Sequence, residues 1–389
     1  MNVSPLVGRP GAVALEDGSV AAHYGDPLRE QRRLAEEVGL IDRSDRDVVV
    51  VPGADRLSWL HNLTSQHLDR LADGTGTEAL VLSPNGHVEH HLVVADLGGT
   101  TWADVEPGTG QALTDFLQKM RFLLRVEPAL VTAEWAVLSL VGPEAPETLS
   151  AAGLPAPEAA YEVRALDRGF VRRMPPVGDG TAAVFDLVVP RADVEQTADR
   201  IAAPLVGVDA YEALRVEGRR PRFGVDSDHR TIPNELSWLT TAVHLDKGCY
   251  RGQETVARVH NLGRPPRRLV LLHLDGVSEV MAEVGTPVLA GTREVGRVGT
   301  VVRHHELGVI ALALVKQSVA MDTVLTVGGS TASIDPDDAP AATDAEAAAA
   351  RERVRAVRSA TIGRGPPAHS SRWRRPAPSP RRQTSRRCR

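Results

Sequence analysis

The sequence predicts an α+β body, with mixed helices and strands over its first 265 residues and a small all-β domain after them. Two observations carry that reading. Before Pro265-Pro266, Val-rich strand patterns alternate with amphipathic helical stretches. After it, Arg268, Val270, Leu272 and Leu274 alternate, and Gly285, Gly291, Gly296, Gly299 and Gly308 punctuate short Val-rich runs, the texture of a partly closed barrel.

In chain order, the all-Val run 48–51 closed by Pro52-Gly53 reads as a buried strand, and 54–62, with Leu57, Trp59 and Leu60, as a short helix. Residues 78–82 and 87–96 read as a hairpin, because Ser83-Pro84-Asn85-Gly86 supplies the positive φ values of a tight turn. Residues 101–105 suit a further strand. Over 111–124, Leu113, Phe116, Leu117, Met120 and Leu124 fall on one helical stripe. Residues 135–141 are strand-like, with a helix expected to Ala152. Asp209-x-x-Glu212 reads as a capping box opening a helix that carries Tyr211, Leu214, Arg215 and Gly218 on one face. Gly74-Thr75-Gly76 imitates a dinucleotide fingerprint, but it precedes a strand instead of joining strand to helix, so it is discounted.

The formal charge of −5 over 389 residues hides two unlike parts. Residues 351–389 hold 13 Arg and one Glu, whereas residues 1–333 hold 32 basic and 44 acidic groups. An apolar fraction of 42% excludes wholesale disorder of the body. With only Cys249 and Cys388, a disulfide framework or a Cys-rich metal site within one chain is excluded. The longest apolar run, 309–315, is too short to span a bilayer, and the chain reads as soluble and cytoplasmic with no membrane partner. The expected organisation is a flexible N-terminus (1–19), a two-part α/β region (20–265), a barrel (266–333) and a disordered acidic, then Arg-rich, tail (334–389). The tail could bind nucleic acid by counterion release, but it lacks interleaved aromatics and reads as solvated.

The most informative stretch is Lys247-Gly248-Cys249-Tyr250-Arg251-Gly252-Gln253-Glu254, with helical spacing from Thr255. Lys247 and Arg251 flank the thiol, and a helix N-terminus follows; both features favour a thiolate. This octet, continued by Val256-Ala257-Arg258, resembles the fingerprint of the YgfZ family of folate-binding proteins, relatives of the glycine cleavage T-protein. Leu40-Ile41-Asp42-Arg43-Ser44, Asn62-Leu63-Thr64-Ser65-Gln66, Tyr211-x-x-Leu214-Arg215-Val216-Glu217 and Ile232-Pro233-Asn234-Glu235 fall in the family's order, over about residues 20–330.

The resemblance implies a T-protein-like ring of domains around a central tetrahydrofolate, or a one-carbon derivative of it. It also implies a role in iron–sulfur cluster assembly or repair with client or assembly proteins, a transient cluster, and an indirect effect on tRNA modification. By position it carries over Tyr211 as a stacking residue and Glu217 as hydrogen-bond partner of the pterin, with Arg215 beside them. Cys249 becomes the functional thiol, Lys247 and Arg251 the cations for the thiolate and for the glutamate tail of folate, and Gly248, Tyr250, Gly252, Gln253 and Glu254 the surrounding motif. One departure stands out: where T-protein has a pair of Asp, one of them catalytic, this chain has His90 and His91. A His there reverses or removes the charge that would stabilise a developing cation, which argues against authentic aminomethyl transfer. On a strand, His87, Glu89 and His91 would share one side, but their spacing matches no ligand motif and no metal is expected. Two other functions fit parts of the sequence: a folate-dependent one-carbon transferase, and an RNA-associated factor acting through the tail.

Overall fold

A computed structural model describes residues 3–277 and 281–338, built around a five-stranded antiparallel sheet, a six-stranded mixed sheet and a barrel. The five-stranded sheet runs Thr75–Leu82, Val88–Leu97, Thr100–Val105, Asp47–Pro52, Ala129–Leu130 in spatial order. Its hairpin turns at Gly86, where φ is +81° and the Gly86 N–H donates to Ser83 O at 2.9 Å. One face packs Val49, Val51, Ala79, Val81, Leu92 and Val94 under Trp59 and Leu60 of the helix Arg56–Leu63. Alternate residues of those strands point to this core, as a pleated strand requires.

The six-stranded sheet takes its strands from both sides of that segment. Its order is Val163–Ala165, Phe170–Val177, Ala182–Pro190, Trp135–Val141, Gly39–Asp42, Leu205–Val206, with only the last pair parallel. The helices Ala145–Ala151 and Val194–Ile201 cover one face; Val208–Glu217 packs on the other through Tyr211 and Leu214. The barrel closes fully, because Ser330–Ile334 pairs back onto Arg267–Leu274 through Leu272↔Ile334. A final strand lying past the glycine-punctuated region is what turns the expected partial closure into a complete one.

Four further expectations change. The N-terminus is packed: Leu6 is 0% exposed among Val194, Ala198 and Ile201, and the Ser4 N–H donates to Ser19 O at 2.9 Å. The stripe over 111–124 ends early, since the helix is Gly110–Lys119 and Phe122 turns to φ +47°. The Asp209 capping box does not form, because Gly207 is the residue before the first helical turn of Val208–Glu217. The folded body also reaches beyond residue 333, with Asp335 and Asp338 each 2.7 Å from the Arg219 guanidinium. From residue 339 on, the expected tail lies outside the described residues. Among the described residues no helix is long and apolar enough to cross a membrane.

Truncating Leu6 to Ala should lower unfolding free energy by about 2–4 kcal/mol, while Val3→Ala, at a position 63% exposed, should stay within about 0.5 kcal/mol. Urea denaturation of the two variants distinguishes a packed N-terminal segment from a flexible one.

Candidate functional site

Where the two sheets, the helix Val208–Glu217 and the barrel meet, their side chains surround a cavity of about 350 Å³. A continuous ionic chain builds its walls. Arg172, 1% exposed at its side chain, bridges Asp186 at 2.9 Å and Asp104. Arg46 donates to Asp104 at 2.6 Å and to Glu106 at 2.9 Å. Arg222 continues from Glu106 (2.9 Å) to Glu212 (3.2 Å), and Arg215 from Glu212 (2.7 Å) to Asp226 (2.9 Å). Arg43 lies 3.6 Å from Asp186 at the other end. Five guanidinium groups thus face five carboxylates, so burial carries no net formal charge.

Asp226 extends this chain into the barrel. Its Oδ1 accepts the Thr300 N–H at 2.7 Å, and Arg215 donates to the Thr300 hydroxyl at 2.6 Å. A Cβ on the neighbouring Gly299 would stand 2.2 Å from Asp226 Oδ1, so only glycine lets the barrel strand come this close.

On one wall, Glu78 accepts hydrogen bonds from Tyr161 at 2.6 Å and Thr241 at 2.9 Å, and its Oε2 lies 3.0 Å from His91 Nε2. The register pairs Leu80 with His91, so Glu78 and His91 are diagonal neighbours on one face of the hairpin. Trp238 stacks on the His91 ring at 4.7 Å. Burial alone would raise the Glu78 pKa, but the bonds from His91, Tyr161 and Thr241, with the charge of His91, hold it down to about 2. His90 points to the opposite face, near Phe223, where burial depresses its pKa to about 4. His91 and Glu89 do not converge, because Glu89 binds Arg251 at 2.9 Å.

The residues singled out in the sequence divide between this cavity and another surface. Tyr211 lines the cavity, with the Arg43 guanidinium 4.5 Å from its ring centre. Arg215 also lines it, but its donors are taken by Glu212, Asp226 and Thr300. Glu217 does not line it; its carboxylate lies 3.4 Å from His304 Nε2. Six residues along a helix from Tyr211, it emerges on a different face.

Cys249 is exposed on a loop that does not line the cavity. Lys247 cannot serve as expected: it is 5% exposed, and its ammonium donates to the carbonyls of His61, Thr64 (2.7 Å) and Gln66 (2.9 Å). Burial lowers its pKa to about 8. Arg251 is held by Glu89, and Arg267 by Asp228 (2.6 Å) and Glu235 (2.8 Å), so two of the six cations between residues 247 and 268 are already ion-paired. Gly252, at φ +81°, precedes the helix Gln253–Leu262, and Glu254 lies in its first turn. Gly252 packs on the hairpin turn, since a Cβ there would stand 2.6 Å from Ser83 O and 2.8 Å from Gly86 Cα. The Gln253 side chain donates to Lys247 O at 3.3 Å, and Tyr250 is buried 5.2 Å from the Lys247 ammonium. Gly248 has open space around its Cα.

Sequence reasoning missed three carboxylates. Glu78 reads in the sequence only as the start of a strand, and Asp209 only as a helix cap. Asp45 and Asp209 line the cavity with no hydrogen bond or ion pair to another described residue. Burial raises the pKa of Asp45 against the pull of Arg43, Arg46 and Arg222. Asp45 directly follows the Leu40–Ser44 motif, the one signal that could have found it.

Residues 22–247 match the GCVT N-terminal domain family, and residues 267–341 match the CAF17 C-terminal beta-barrel domain. A chloroplastic protein of Arabidopsis thaliana named as a transferase is 24% identical over 82% of this chain and 74% of its own length. An aminomethyltransferase of Synechococcus is 28% identical over 70% of this chain and 77% of its own. The crystal structure of the glycine cleavage system aminomethyltransferase T from Bartonella henselae superposes with a TM-score of 0.74 at 19% identity, over 85% of this chain and 94% of that one. The fold is therefore GcvT-like, with a closed six-stranded C-terminal barrel.

Glu78, Glu106 and Glu212 all have pKa values lowered from 4.5 to about 2. Their contribution to stability is complete above pH 4.5 and is lost as pH falls toward 2, because the unfolded chain then binds protons that the folded chain refuses. Urea midpoints should decline gradually below about pH 6.5, where the unfolded chain protonates His90 while burial keeps it neutral in the fold, and fall steeply below 4 as the carboxylates protonate; a midpoint unchanged at pH 2.5 would contradict the ionic chain. Lys247→Met should cost about 2–3 kcal/mol by leaving three carbonyls short of a donor, and equilibrium unfolding at neutral pH measures it.

Proposed function

We propose, from the premise that this chain belongs to the GCVT N-terminal domain family, that it binds a tetrahydrofolate in the central cavity and assists iron–sulfur cluster assembly or repair. The observation that carries the folate reading is the cavity's supply of both an aromatic wall and uncommitted acceptors. Tyr211 offers an aromatic surface, and Asp45 and Asp209 are carboxylates without a partner among the described residues. A pterin needs this pairing, since its ring faces favour aromatic contact and its aminopyrimidine edge presents adjacent N–H donors. Asp45 or Asp209 takes the place first given to Glu217. The uncharged Tyr161 and Thr241 hold Glu78, and through it His91, in one orientation in the cavity wall. Tetrahydrofolate supplies a carrier for one-carbon units.

The exposed thiol supports the second half of the reading. Cys249 stands on a loop pinned by Lys247 and by the Gly86–Gly252 contact, reachable by a client protein or a transient cluster. Effects on tRNA modification would follow indirectly, through cluster-dependent enzymes.

One observation favours a second reading, a folate-dependent one-carbon transferase. Glu78 restores a carboxylate beside His91, so the cavity does not lack the negative charge that the His pair lacks by itself. With Nε2 held by Glu78, which balances the charge of the ring, His91 can move a proton at Nδ1.

Calorimetric titration of the full chain with tetrahydrofolate should show one site, weakened about tenfold by Tyr211→Ala, the equivalent of roughly 1.4 kcal/mol of aromatic contact. Absence of binding at millimolar ligand sinks the folate reading. Methylene-tetrahydrofolate turnover that survives Cys249→Ser and disappears in His91→Ala would favour the transferase instead.

A further inference from the structure

Away from the cavity, the helix Arg56–Leu63 and the loop after it bring together His61, His67 and Asp69, whose donor atoms all lie within 4.8 Å of one another. Asp69 Oδ1 is 3.2 Å from His67 Nδ1 and 3.6 Å from His61 Nδ1. Bonds of about 2.0–2.1 Å to a tetrahedral zinc ion place neighbouring donors about 3.3 Å apart, so these two separations already suit one shared ion. The His67 ring centre lies 4.8 Å from that of His61 and 5.1 Å from that of His244. A third imidazole thus stands at the rim.

The scaffold beneath is built from buried polar contacts. The Lys247 ammonium holds the carbonyls of His61, Thr64 and Gln66, and the His244 N–H donates to Ser65 O at 3.1 Å. Both segments that carry imidazoles are therefore tied to one another through the backbone. Side-chain exposures of 16% for His61, 31% for His67 and 38% for Asp69 leave the group accessible to an ion but limited in its motion. His61 Nδ1 also accepts the Leu68 N–H at 3.2 Å, a long bond whose lone pair an ion would take over.

We propose that His61, His67 and Asp69, completed by His244 or by water, bind one divalent transition-metal ion of the zinc class. Two imidazoles with a single carboxylate suit a borderline ion; calcium and magnesium require sets dominated by oxygen. This site does not depend on the folate reading. It lies at the root of the loop that carries Cys249, two residues beyond the Lys247 anchor, so a bound ion would fasten the segment presenting the exposed thiol.

The test uses the full chain with Cys249→Ser and Cys388→Ser, so that thiols cannot take up metal, stripped with chelator and titrated with zinc chloride in a calorimeter. One equivalent should bind, and His67→Ala and Asp69→Asn should each weaken binding by about 100-fold, with circular dichroism confirming that both stay folded. His260→Ala, on another helix, should leave affinity unchanged. Failure of the thiol-free chain to bind stoichiometric zinc, or equal binding by His67→Ala, would overturn the proposal.

Discussion

The alternation of charge from Arg43 and Asp186 through Arg172, Asp104, Arg46, Glu106, Arg222, Glu212 and Arg215 to Asp226 is the constraint on which the rest of this molecule depends. Each member is tolerable away from water only because its neighbours on either side neutralise it. The chain joins strands of both sheets, the helix Val208–Glu217 and, through Thr300, the barrel. Docking of these parts cannot drift by an ångström without leaving a buried charge short of its partner, so the cavity they enclose has a defined shape. Hydrophobic clusters hold each sheet together internally and also bridge the parts, as where Val48 and Ala95 meet Val137, Phe170 and Val188, but the side of the junction that faces the cavity is polar.

This polarity accounts for which cavity residues remain open to a ligand. Arg215, Glu212 and Glu106 look like recognition groups by type, yet their hydrogen-bonding capacity is used up within the wall. Asp45 and Asp209 are left over, beside the Tyr211 ring on which Arg43 rests. The thiol occupies a separate surface, joined to the cavity by a short stretch of chain. Trp238 and Thr241 touch the His91–Glu78 pair, and eight residues after Thr241 the chain reaches Cys249. Between them, Lys247 fastens the path to the carbonyls at the end of the helix Arg56–Leu63.

Local signals were legible where local physics decides the outcome. The Val run at 48–51, the Asn85-Gly86 turn and the alternation from Arg268 to Leu274 each became the element their spacing predicts. Signals that depended on what a side chain meets were not. Lys247 beside Cys249 in sequence suggests a thiolate partner, but the ammonium turns inward to three carbonyls 181 to 186 residues earlier in sequence. Asp209-x-x-Glu212 has the spacing of a capping box, but the helix starts two residues sooner, with Gly207 at the cap, and both carboxylates face the cavity. Leu6, in a segment too short to show a period, is buried completely.

The sequence alone determined the family-bearing octet, the two-part body and its change to an all-β texture after Pro266, because glycine placement, alternation and motif order are properties of neighbouring residues. The tertiary structure alone decided that Glu78 answers His91 across a hairpin, that Glu217 leaves the cavity, that the barrel closes, and that His61, His67 and Asp69 share one corner. Charge pairing and donor convergence act through space over a few ångströms, and partners separated by tens or hundreds of residues carry no mark of that proximity in their order along the chain.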